Sequence, residues 1–276
     1  MKKVRLSKVL FVLLSVVFAS CNREEDVALD RELVKSSTEI DFTTELDFNA
    51  AIDVSSDNNA LTDRSAQATS SIAPCASVTV DNNEPGIFPK TFTINFGSGC
   101  THNGITRSGS VMITLTDYVM NSGSLTTIVR GDNYYVNGMK VEGTVTYQNT
   151  TVSATTSQWN RTITNGKVTH QDGRVFTHNG TRSVKQTEGV NTLVLIDNVY
   201  EITSGTHTIT KVGGTTLTLS VVEPLIKKYS CTNISQGKLG VQGTVLDGVI
   251  DYGDNTCDKL ATYTHSNGNV YNIVLL

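Results

Sequence analysis

This chain lacks most of the features that would announce a chemistry. After residue 75 it has no excess of basic charge: residues 75–276 carry fourteen acids and fourteen bases. Nucleic-acid binding needs a basic footprint, so that partner class is set aside. There are no closely spaced cysteine pairs of the C-x₂-C kind, which argues against a zinc site. No Gly-x-Ser-x-Gly elbow, no phosphate-binding Gly-x₄-Gly-Lys-Ser/Thr loop and no dinucleotide fingerprint after a strand occurs. No apolar run reaches the ~20 residues that a membrane-spanning helix requires. Proline is scarce, at four residues, while Gly, Thr, Asn and Ser are plentiful. That composition fits either disorder or many short strands with tight turns. Disordered chains are poor in β-branched residues, whereas Thr, Val and Ile abound here, so strands are expected.

The start of the chain is the most informative stretch. Lys2, Lys3, Arg5 and Lys8 precede an apolar core, Val9 to Phe18, broken only by Ser15. A basic start, a short apolar run and the small pair Ala19-Ser20 make a secretory signal. The next residue is Cys21. This pattern resembles the lipobox of bacterial lipoproteins, although Phe18 stands where that family carries an aliphatic residue. The resemblance implies removal of residues 1–20 and lipidation of Cys21, which would hold the protein at a membrane through buried acyl chains. Asn22-Arg23-Glu24-Glu25-Asp26 follows at once, and its acidic cluster resembles the surface-export signal of Bacteroidota lipoproteins. An outer-membrane location exposed at the cell surface is the expectation, with the periplasmic face as the alternative. Residues 22–73 carry twelve acids and four bases, a net charge of −8. Anionic lipid would repel this part, which reads as a stand-off tether over 21–37.

Residues 38–74 read as an N-terminal strand region and a linker. Ile40, Phe42, Leu46, Phe48, Ile52 and Val54 are all even-numbered, and Asp41, Glu45, Asp47 and Asp53 are odd. Period two argues for one or two strands buried on one face. The pairs Phe42/Leu46 and Phe48/Ile52 also satisfy i,i+4, which a helix would use. Residues 55–74 are rich in Ser, Asn, Asp and Ala.

Four cysteines remain after Cys21. Cys75 to Cys100 is a step of 25, and Cys231 to Cys257 a step of 26. In each interval an aromatic-Gly pair begins 21 residues after the first Cys, as Phe96-Gly97 and Tyr252-Gly253. Two similar units, bridged Cys75–Cys100 and Cys231–Cys257, are expected. Loops of this size contribute roughly 3 kcal/mol each by restricting the unfolded chain.

From 75 to 276 the signal is hairpins. Asn-Gly recurs at 103–104, 137–138, 165–166, 179–180 and 267–268, and Asp-Gly at 172–173 and 247–248, pairs that accept the positive φ of tight turns. Alternating runs lie between them, with Trp159 and Ile163 on one face and Arg161 between them. The fold class is therefore all-β: an antiparallel meander forming a large twisted sheet or a two-sheet sandwich, with no long helix after the signal peptide. About fourteen strands in one open sheet strain the usual limit of ~10, so the sheet should curl or split. Phe96-Gly-Ser-Gly-Cys100, Asp132-Asn-Tyr-Tyr-Val-Asn-Gly138 with Val141-Glu-Gly-Thr144, and Asp251-Tyr-Gly253 with Cys257-Asp258 resemble a group of β-rich Bacteroidota lipoproteins of unassigned function. That resemblance implies architecture and location and brings no catalytic residues.

Candidate sites are few. His170 and His178 flank the Asp172-Gly173 turn and could approach each other, but exposed strand histidines are the plainer reading, and no metal or other cofactor is assigned. Asp117, Glu142, Asp197, Glu201 and Glu223 offer carboxylates that nothing pairs for glycoside hydrolysis. The aromatics Tyr134, Tyr135 and Trp159 could stack on a sugar face, against the alternative of core packing. The expected function is a non-catalytic, lipid-anchored envelope protein with a structural or binding role. A surface carbohydrate-capture lipoprotein and a periplasmic lipid carrier with a curled sheet are the alternatives. The expected partners are the membrane, through the N-terminal lipid, and a glycan or another envelope protein.

Overall fold

The computed structural model describes residues 23–56, 72–152, 156–190, 192, 194–243 and 247–276. The signal peptide over 1–20, the lipidation site Cys21 and most of the 55–74 linker lie outside the described residues.

The described chain opens with a 34-residue helix, α1 (Arg23–Ser56). This corrects the expectation of a tether over 21–37, of strands over 38–54 and of no long helix after the signal peptide. The last holds only from residue 75 on, where the described helical structure is a 3₁₀ turn at Leu195–Asp197. The misreading has a physical cause. From Leu33 to Ser55 every side chain is buried except exposed Lys35 and half-buried Leu46. A helix enclosed on all sides has no solvent face, so the 3.6-residue apolar stripe that marks a surface helix is missing. The buried stretch is roughly 34 Å long at 1.5 Å per residue.

Among the described residues sixteen strands follow. They are β1 (Ser77–Val80), β2 (Lys90–Asn95), β3 (Cys100–His102), β4 (Ile105–Ser108), β5 (Ser110–Leu115), β6 (Leu125–Arg130), β7 (Tyr135–Val136) and β8 (Met139–Asn149). The second half holds β9 (Gln158–Thr169), β10 (Val175–Glu188), β11 (Val199–Lys211), β12 (Thr216–Lys228), β13 (Gln236–Gly243), β14 (Asp247–Asp254), β15 (Leu260–His265) and β16 (Val270–Val274). All pair antiparallel in one sheet, in the order β1-β2-β5-β6-β8 and then consecutively to β16, with β3, β4 and β7 forming a side flap. The fold is thus all-β and antiparallel as expected, as a single large sheet that is not closed.

The sheet resolves the strain of its width by curling around α1. Side chains of β6, β9, β10 and β14 all reach the same helix, through Arg130, Arg161, Arg182 and Tyr252. Phe48 of α1 stacks on Tyr147 at 4.1 Å and meets Trp159 and Tyr200 edge-on at 5.8 and 5.5 Å. At one end of the helix Arg31 lies over the Tyr271 ring, 4.6 Å from its centroid. At the other, the Val119 backbone N–H donates to Ser55 Oγ at 3.2 Å.

The convex face is polar for a register-based reason. Thr91, Thr114, Thr127, Thr146, Thr162, Thr181, Thr206 and Ser220 are successive cross-strand partners from β2 to β12. The β-branched carbons of the seven threonines suit the pleat, and all eight hydroxyls suit water.

The turns Asn103-Gly104, Asn137-Gly138, Asp172-Gly173 and Asn267-Gly268 fall between strands as expected. Asn165-Gly166, Asn179-Gly180 and Asp247-Gly248 do not: they lie inside β9, β10 and β14. Two of these glycines make room for histidines. A Cβ on Gly166 would meet the His178 ring at 2.4 Å, and one on Gly180 would meet the His207 Cα at 2.7 Å. The bridges Cys75–Cys100 and Cys231–Cys257 are both present, with Cα atoms 5.7 and 5.3 Å apart.

Phe48→Ala should cost about 3–5 kcal/mol, as aromatic-to-alanine cavities do. Urea unfolding checks this; a loss under about 1 kcal/mol would remove the helix from the core.

Candidate functional site

The interior of the curl is charged. α1 contributes Asp41, Glu45 and Asp47, and the sheet contributes Arg130, Arg161 and Arg182, all six buried. Arg130 Nε donates to Asp47 Oδ2 at 2.8 Å, and Tyr134 Oη donates to Asp47 Oδ1 at 2.7 Å. Arg182 Nη1 donates to Asp41 Oδ1 at 2.6 Å, and Arg161 Nη1 donates to Glu45. Arg161 and Arg182 are direct cross-strand partners. Like charges in that position repel; here both face Asp41, whose Oδ1 accepts from Arg182 and also lies 3.9 Å from Arg161 Nη2. Further along, Tyr229 Oη donates to Asp53 at 2.6 Å.

Lys227 is buried beside this cluster and donates to the carbonyls of Lys228 and Cys231. Burial pushes its ammonium down to about 8, against the pull of Glu45. The cavity it borders, with Asp41, Glu45 and Tyr252, holds only about 10 Å³, which is room for one water. The centre is therefore filled by paired groups and serves to hold α1.

An open groove of about 360 Å³ lies near the end where α1 enters the sheet. Its volume falls at the low end of small-ligand sites. Val136, Met139 and Leu276 supply its apolar lining; Glu39, His170, Asp172 and Arg174 supply its charge. His170 Nε2 is 3.3 Å from Glu39 Oε2 and 3.4 Å from Ser36 Oγ. Serine, histidine and carboxylate thus meet, but both oxygens address the same nitrogen. A nucleophilic triad needs them on opposite ring nitrogens, and Ser36 is buried, so the arrangement does not make a nucleophile. Burial raises the Glu39 carboxyl to about 7. Burial also holds the His170 imidazole below its usual value. Arg174 bridges two acids: Nε donates to Asp172 at 2.7 Å and Nη1 to Glu32 at 2.5 Å. Lys211 donates to the other Glu32 oxygen at 2.8 Å. Burial acts to raise the Glu32 carboxyl, but these two cations outweigh it and hold it below its usual value.

The aromatic sugar platform is corrected. Tyr134 and Trp159 are core residues, 0% and 1% exposed. Tyr134 is drawn inward by Asp47, and Trp159 Nε1 donates to the Val119 carbonyl at 3.1 Å. Tyr135 alone of the three is half-buried, on β7. His170 and His178 are not brought together. His178 instead stacks on His207, with ring centroids 5.2 Å apart, and burial lowers both imidazoles well below the usual value. Among the described residues no group of three His, Cys, Asp or Glu could hold a metal. The acids considered for hydrolysis do not converge: Glu142 pairs with Lys140 and Lys167, Glu223 with Lys238, and Asp117 caps its own turn at Tyr118.

The residues missed were Ser36, Glu39 and the three arginines. One signal was present: Arg161 shares parity with Trp159 and Ile163, and all three are buried on the face toward α1. The chain matches no protein-family model, and no curated protein or solved structure matches it either. No described helix is long and apolar enough to cross a membrane.

Two measurements check this site. Arg161→Ala leaves Glu45 buried without its partner and should cost about 3–5 kcal/mol in urea unfolding, as broken buried pairs do. Glu39 has a folded value above its unfolded one, so the folded state holds its proton longer. Its stability contribution is present below about pH 4.5 and is lost as pH rises toward about 7. Glu39→Gln should therefore be clearly more stable than wild type at pH 8 and similar to it at pH 4.5. Equal stability at both pH values would show that Glu39 titrates normally.

Proposed function

We propose that this chain is a lipid-anchored envelope protein, held at the outer membrane through Cys21 and facing outward, with a structural or binding role rather than a catalytic one. The observation that carries the reading is how the sheet uses its concave face. Lipid carriers keep such a face open for cargo; here α1 occupies it with three paired acids and a stacked Phe48. Partner contacts are left to the convex face, the sheet edges and the groove beside His170. The lipobox-like start and the acidic residues Glu24, Glu25 and Asp26 support anchoring and export, in likeness to Bacteroidota surface lipoproteins.

In this reading α1 leads almost directly from the anchor into the sheet. Arg23 is the second residue after Cys21, and Leu33 is already buried. Ten helical residues span about 15 Å, so the end of the sheet carrying Arg174, Lys211 and Tyr271 sits close to the lipid. The carbohydrate-capture alternative keeps Tyr135 only.

Protease treatment of intact cells tests the proposal. The wild-type protein should be shaved from whole cells and the Cys21→Ala variant should leave the membrane fraction. Protection of the wild type until the outer membrane is opened would place it on the periplasmic face.

A further inference from the structure

The sheet ends at β16, which has β15 on one side and no strand on the other among the described residues. Two hydrogen bonds set its alternation: the Leu275 N–H donates to Lys259 C=O at 2.8 Å, and the His265 N–H to Asn269 C=O at 2.9 Å. In an antiparallel pair such bonds recur at every second residue. The backbone groups of Val270, Asn272 and Val274 therefore point away from β15, three donor–acceptor pairs in a row. Their side chains are exposed, Val270 to 60% and Val274 to 67%. Natural edges are blunted by charge, proline or a bulge. Nothing of that kind occurs from Val270 to Leu276: the segment has no charge and no proline, and its register with β15 is unbroken.

We propose that β16 pairs antiparallel with β16 of a second copy of this chain, about a twofold axis at Asn272. The strand suits this operation. The twofold sets Val270 against Val274 of the other copy and Asn272 against its own equivalent. All three outward residues then become hydrogen-bonded pairs at once, whereas a register shifted by two would have to pair Val270 with Leu276, beyond the end of β16. The side chains match as well. Leu260, 58% exposed, is the β15 partner of Val274, and Thr264 is the partner of Val270. Across the junction the row reads Leu260, Val274, Val270, Thr264, so each exposed valine gains an apolar neighbour. The amides of the two Asn272 side chains can donate to and accept from each other. No like charges are opposed on these strands. A closed twofold contact also ends growth at two copies, which an unprotected edge otherwise does not. Five paired residues span about 17 Å, a smaller contact than the ~1,200 Å² of stable complexes, so the dimer is weak and concentration-dependent.

Cysteine cross-linking in the exported full-length chain tests this. Cα atoms of a directly opposed hydrogen-bonded pair lie about 5.5 Å apart, within disulfide reach. Asn272→Cys should give a reducible dimer on non-reducing gels. Thr262→Cys, one strand inward and about 14 Å from its twofold mate by strand spacing, should stay monomeric. Adding Val270→Lys and Val274→Lys to Asn272→Cys should cut the dimer at least tenfold. A monomeric Asn272→Cys under oxidant would overturn the proposal, as would a dimer insensitive to the lysines. Cross-linking of Asn272→Cys to Val78→Cys on β1 would also overturn it, in favour of head-to-tail growth. Light scattering of the wild-type chain in mild detergent supplies a variant-free check: the mass should approach twice the monomer with rising concentration, and an unchanging monomer mass counts against it.

Discussion

The structure depends on the pairing of buried charge between one helix and the sheet around it. Arg130, Arg161 and Arg182 point into the concavity, where water is excluded. Unpaired, each would carry a desolvation cost of several kcal/mol. Asp41, Glu45 and Asp47 supply the opposite charge from α1. The helix is equally bound by this constraint, since those acids could not be buried elsewhere. Either component in its observed form, without the other, would hold charge with no partner. Buried ion pairs add little net stability against apolar replacements, and their best-attested use is to fix register. That role fits here: three acids meet three arginines on different strands, so the rotation and the depth of α1 are both set.

The same constraint explains how a sheet of sixteen strands stays in one piece. Open sheets of this width normally curl or divide. Here curling has a template, because the inner face must reach all sides of α1. Phe48 gathers Tyr147, Trp159 and Tyr200 from three different strands in the same way. The strands are mostly sequential neighbours, so pairing them closes short loops. The helix contacts close long ones: Asp41 and Tyr252 are 211 residues apart. The two disulfides tie local segments on either side of the sheet and leave these long closures to packing and charge.

Much of the sheet was legible in the sequence. Period-two runs, four of the seven Asn-Gly and Asp-Gly turns and both cysteine pairs read correctly, because strand alternation and turn chemistry are local properties. What failed was non-local. Gly166 and Gly180 looked like turn glycines, yet they clear space for histidines on the next strand. For Trp159 and Tyr134 the sequence left a sugar platform and core packing both open, and the helix decides for the core by supplying their covering surface. For α1 the i,i+4 pairs Phe42/Leu46 and Phe48/Ile52 were the helical signal, and period two outweighed them because Asp41, Glu45 and Asp47 face arginines instead of water, which erases the amphipathic stripe. The parity of Arg161 with Trp159 and Ile163 was the one local hint that a basic residue had to find a partner inside. Glu39 and His170 lie 131 positions apart in the sequence, and no spacing rule reaches that far.

In the proposed function, the protein's concave face belongs to its own helix and partners meet its outer surfaces. That view stands on α1 being as firmly held as the sheet. Hydrogen exchange measured residue by residue tests it most directly. If the charge-paired helix is integral, the amides of residues 33–55 should exchange as slowly as those of β9, β10 and β11, all through global unfolding. Exchange of α1 orders of magnitude faster than that of these strands, with the sheet still protected, would show that the helix leaves a sheet that stands without it, and would contradict the account.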